Sequence, residues 1–79
     1  MREFHHFIAV DNEQLLFYFS RIQTAGREEF FVSVIRSHKV FSFDMQGDDS
    51  EKWKIVTPAP EWLKALEEKL SDAINSNIK

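Results

Sequence analysis

The 79-residue chain has no cysteine, only two glycines and two prolines, and no long apolar run. Without cysteine there is no disulfide to brace a small fold, no thiol nucleophile and no thiolate ligand for a metal. The absence also fits a reducing compartment. So few glycines and prolines leave little room for loose loops. No stretch approaches the roughly 20 apolar residues of a membrane span, and residues 1–6 carry no apolar core of signal-peptide length. The expected location is therefore the cytoplasm, with no membrane partner. Strong charge of one sign is missing too: a formal net charge of −3 gives no general attraction to phosphates and disfavours nucleic acid.

What is present is apolar and aromatic. Hydrophobic residues make up 43% of the chain and charged residues 29%, a balance that argues for a folded domain rather than disorder. Aromatics reach 14%, with eight phenylalanines. The length allows a single domain over residues 1–79. A domain of this size buries only about 60% of the surface its unfolded chain exposes.

Strand signals dominate the first three quarters. Residues 4–10, 15–23, 29–36, 40–46 and 52–57 each read as a strand, rich in β-branched and aromatic side chains. Polar clusters separate them: Asp11 to Gln14, Thr24 to Glu28 around Gly26, Ser37 to Lys39, and Gly47 to Glu51. Such short links make neighbouring strands pair antiparallel as a meander. At Pro58 and Pro60 the pattern changes to a helical period over residues 59–76, with Thr57 as the expected N-cap. Trp62, Leu63, Leu66, Leu70, Ala73 and Ile74 recur at spacings of three and four. The expected fold is α+β: four or five antiparallel strands with one C-terminal amphipathic helix packed on one face. Trp62, Leu63, Leu66, Leu70 and Ile74 are expected to face Phe41, Phe43, Trp53 and Ile55, and Trp62 is read as a core anchor rather than the wall of a ligand pocket.

Alternation along the strands identifies a surplus. Phe41, Phe43 and Met45 share one side of the fourth strand, but the second and third strands are apolar on both sides. Phe17 and Phe19 oppose Leu16, Tyr18 and Ile22; Phe30, Val32 and Val34 oppose Phe31 and Ile35. Which of these faces the helix covers is left open by the pattern. A strand apolar on both faces needs cover on both, and one helix about 10 Å across covers only part of a sheet about 19 Å wide. The second face, with Tyr18, Phe31 and Ile35, is thus expected to pack on a second copy or another protein partner. The competing expectation is that strong sheet curvature folds the aromatics onto one another.

Candidate chemistry is weak. His5 and His6 are adjacent in a strand and point to opposite faces, and His38 lies in a turn, so no histidine spacing supports a metal site. Asp44, Asp48, Asp49 and Glu51 bracket Gly47 but lack the alternating ligand spacing of a calcium loop. No Ser-His-Asp order, glycine-rich phosphate loop or HExxH helix occurs, and Ser20, Ser33 and Ser42 sit within strands. No catalytic residue, cofactor or metal is therefore expected, and the chain reads as a non-enzymatic interaction module. The alternative is single-stranded nucleic-acid binding, with bases stacked on the second-face aromatics and Arg21, Arg27, Arg36 and Lys39 tracking the backbone. The succession of strands followed by one helix resembles, at fold level, the small dimeric single-strand-binding domains of the Whirly and PUR-alpha type.

Overall fold

In the computed structural model, which describes residues 3–24, 26–48 and 50–78, five strands form one antiparallel sheet in sequence order. They are β1 (Glu3–Val10), β2 (Glu13–Thr24), β3 (Arg27–Arg36), β4 (Lys39–Gly47) and β5 (Trp53–Ile55). Two helical segments follow, α1 (Glu61–Lys64) and α2 (Glu67–Ile78). The sheet curls into a half-barrel around the helices, so the α+β meander read from the residue pattern is the fold.

The strands run longer than their apolar stretches because the turns are minimal. Val10 pairs with Glu13 and Arg36 with Lys39, leaving two residues at each tip. Asp11 and Asn12 have φ of 46° and 69°, Ser37 and His38 have 53° and 65°. Positive φ at both central positions is the turn whose twist matches the flanking strands. Asp, Asn and His tolerate that region better than most side chains. In the β2–β3 turn Gly26 takes φ 76°, which glycine does without cost; Ala25 lies outside the described residues.

The core occupies the inner face alone. Leu15, Phe17 and Phe19 of β2 and Phe30, Val32 and Val34 of β3 point inward with Ile8, Val10, Phe43, Met45 and Trp53, all buried. From the helices Leu63, Leu66, Leu70, Ala73 and Ile74 meet them. Curvature brings the rings into contact: Phe4 stacks on Phe19 at 4.6 Å, and Phe30 meets Trp53 edge-on at 5.1 Å. The ambiguity in β2 and β3 is thereby settled, with Leu15 and Phe30 on the covered side. Curvature and one helical layer together fill this face, and neither reaches the other.

Three local expectations are corrected. The helix expected over residues 59–76 is broken at Ala65 and Leu66 and starts later, after Pro60, whose missing side-chain donor or acceptor leaves the terminus without a side-chain cap. Thr57 is not the N-cap: its hydroxyl accepts the Asp44 N–H at 3.0 Å, tying the chain to β4 before the helix begins. The fifth strand is shorter than the expected residues 52–57, although the Val56 N–H still donates to the Asp44 carbonyl. The helical break serves two anchors. In α1, Trp62 packs edge-on against Phe41 at 5.3 Å, under the Arg36 guanidinium 4.6 Å from its ring, while α2 lies along β5.

Candidate functional site

Period-two alternation sends every second residue of β1 to β4 to the outer face, and the register shows how they line up. Phe7 stands opposite Leu16, and Ile35 opposite Val40. Leu16 and Ile35 come next beyond the Phe17–Val34 pair of the same ladder. Phe7, Leu16, Ile35 and Val40 therefore form one apolar row across four strands, near the two positive-φ turns. Phe7, Ile35 and Val40 remain 59%, 62% and 69% exposed. The next row is His5, Tyr18, Ser33 and Ser42, and the one beyond it Glu3, Ser20, Phe31 and Asp44. Polarity thus changes along the strands, from an apolar end to an acidic one.

Tyr18, Phe31 and Ile35, the residues expected on the second face, all lie on the outer face of the sheet. Tyr18 and Phe31 are 52% and 40% exposed, and Tyr18 faces Ser33, which separates Phe31 from Ile35 along β3. Tyr18 also has the His5 ring 6.1 Å away. The pattern of β2 and β3 put Leu16 on the side of Tyr18 but did not join Phe7 and Val40 to this group. Two-residue turns at 11–12 and 37–38 were the signal that fixes the register, and with it the row.

The cationic residues are not gathered there. Arg21 and Arg36 share parity with Phe19 and Val34 and project on the inner side. Arg21 is ion-paired with Glu28, and Arg36 with Asp11 at 3.3 Å and Glu13 at 3.2 Å. Lys39 has the parity of Phe41 and Phe43. Of the four, Arg27 alone has the parity of Phe31 and Ile35, and it sits by the Gly26 turn at the far end from the apolar row. The outer face itself carries Glu3, Glu29 and Asp44.

The remaining candidates are occupied otherwise. Asp48 accepts the N–H groups of Ser50 and Lys52 at 2.9 and 3.0 Å and the Ser50 hydroxyl at 2.8 Å. These donors, the Lys52 amide foremost, hold its carboxyl below the ordinary carboxylate range. Asp49 lies outside the described residues. Among the described residues no three His, Asp or Glu side chains gather closely enough to hold a metal ion, and no helix is long and apolar enough to cross a membrane. A surface groove of about 480 Å³ separates Lys52, Trp53 and Lys54 from Glu67, Glu68 and Asp72; it is polar and open, with the packed core behind it.

No protein-family model, curated protein or solved structure matches this chain.

Proposed function

We propose that this chain is a non-enzymatic interaction module whose outer sheet face is covered in its working state by protein, a second copy of itself in the simplest case. The transverse row of Phe7, Leu16, Ile35 and Val40 carries the reading. Single exposed apolar side chains are ordinary, but a contiguous apolar patch on a sheet face is typical of interaction surfaces. Size agrees. The molecule measures 36 × 24 × 20 Å, and its broad face is on the scale of the roughly 800 Å² that each partner contributes to a standard interface. Two-fold dimers are the commonest soluble assemblies.

Light scattering coupled to size exclusion, on wild type and on an Ile35→Lys, Val40→Glu double variant, tests the proposal. The two positions face each other across β3 and β4, so the new charges form a cross-strand pair that keeps the sheet intact. A wild-type assembly and a folded variant of half its mass are expected. Equal masses would remove the face from self-association. Titration with a labelled single-stranded oligonucleotide is expected to show no binding at micromolar protein. Binding that falls steeply with salt would restore the nucleic-acid reading despite the placement of Arg21 and Arg36.

A further inference from the structure

The two edges of the sheet are treated differently. At β5 the helix supplies what a sixth strand would: Ser71 Oγ accepts the Trp53 N–H at 2.9 Å, and a Glu67 carboxylate oxygen accepts the Ile55 N–H at 3.0 Å. Asn75 completes the seal, accepting from the Trp53 indole at 3.1 Å and donating to the Glu51 carbonyl at 2.7 Å. At β1 no such cover exists among the described residues. The turn at Asp11 and Asn12 closes on the Val10–Glu13 pair, and its hydrogen bond directs the polar groups of Val10, Ile8, His6 and Phe4 to β2. Those of Glu3, His5, Phe7 and Ala9 point outward. None of them bonds to another strand, a loop or a helix side chain among the described residues.

Exposed strand edges are normally blunted by proline, lysine, a bulge or a covering element. β1 has neither residue, and its pairing with β2 runs without a bulge from Glu3 to Val10. We infer that the β1 edge is a strand-addition surface for a second copy of this chain, two β1 strands pairing antiparallel about a two-fold axis to merge two five-stranded sheets. An antiparallel pair is its own complement under such an axis.

The register follows from strand length. Setting Phe7 opposite the partner's Phe7 would run Glu3 past the end of the partner's β1, where the chain leaves the strand at Asp11 with positive φ. Shifted by two residues, Phe7 faces the partner's His5, Glu3 faces the partner's Ala9, and His6 lies on the axis. The exposed end of the apolar row is then covered by an aromatic pair on each side. Beside the edge, a groove of about 290 Å³ runs between residues 6–9 and Lys69, Asp72, Ala73 and Ser76 of α2.

This contact is separate from the outer face, and each can fail alone. Ala9→Pro removes an outward N–H and no β1–β2 bond, a position where an edge strand tolerates proline. Its expected mass by light scattering is half that of wild type, whatever the outer face does. His6→Cys, in a chain otherwise free of cysteine, reads the register directly. Facing non-hydrogen-bonded residues have Cα atoms about 4.5 Å apart, within disulfide range. Mild oxidation is expected to yield a covalent dimer, in the Ile35→Lys, Val40→Glu background as well. A wild-type monomer, an Ala9→Pro variant of unchanged mass, or an H6C protein that stays uncrosslinked would overturn the edge contact.

Discussion

Phe43 illustrates how much stability a single side chain carries in a chain this short. It is buried at the centre of the inner face, opposite Val32, and one helical layer leaves little material to collapse into a void. Phe43→Ala is expected to cost about 3–5 kcal/mol, read from the urea midpoint, and a variant with an unchanged midpoint would contradict the core assignment. Asp48 acts at the opposite extreme, fully exposed yet organising its loop through three accepted hydrogen bonds. Its folded carboxyl is more acidic than in the unfolded chain. The contribution is therefore complete above the ordinary carboxylate range and lost as pH falls through the lowered value. Asp48→Asn is expected to flatten that acid limb in thermal melts between about pH 2 and 5; an identical limb in both proteins would assign it to other carboxylates.

Among the elements, the helix acts as much by hydrogen bonding as by packing. Ser71 and Glu67 complete the outer ladder of β5, a strand of three residues that has only Met45, Gln46 and Gly47 to pair with. The ring of Trp53 lies over Gly47, where an added Cβ would come within 3.1 Å of it. Ser71→Ala leaves the Trp53 N–H buried without its acceptor and is expected to cost about 1–3 kcal/mol. Amide exchange at Trp53 and Lys54 should accelerate in parallel; exchange equal to wild type would show that β5 is held by its β4 pairing alone. Strand order, helix position and the inward set of β4 were legible from residue pattern, because alternation and the change to a helical period are local signals. The break at Ala65 and Leu66 was not: no proline or glycine marks it, and it arises from two distant anchors, Phe41 and β5. Nor was the inner side of β2 and β3 legible, since both faces are apolar and the choice rests on the register with β4. Tyr18, Phe31 and Ile35 could be assigned to one face by parity, whereas joining Phe7 and Val40 to them required turn lengths that the polar clusters overstate.

At the scale of the whole molecule, the fold is a half-barrel whose inner surface is filled by its own aromatics and one helical layer. The sequence carries more apolar strand surface than that layer can cover, and much of the remainder lies on the outer face, as the row of Phe7, Leu16, Ile35 and Val40 with Tyr18, Phe31 and Ile22 further along the strands. The direct measurement is hydroxyl-radical footprinting of Phe7, Tyr18 and Phe31 by mass spectrometry, at dilute and concentrated wild-type protein, with Trp62 on the helical side of the sheet as the internal control. The account predicts that oxidation of the three outer-face rings falls several-fold on concentration while Trp62 is unaffected. Equal rates at both concentrations would contradict self-association through this face.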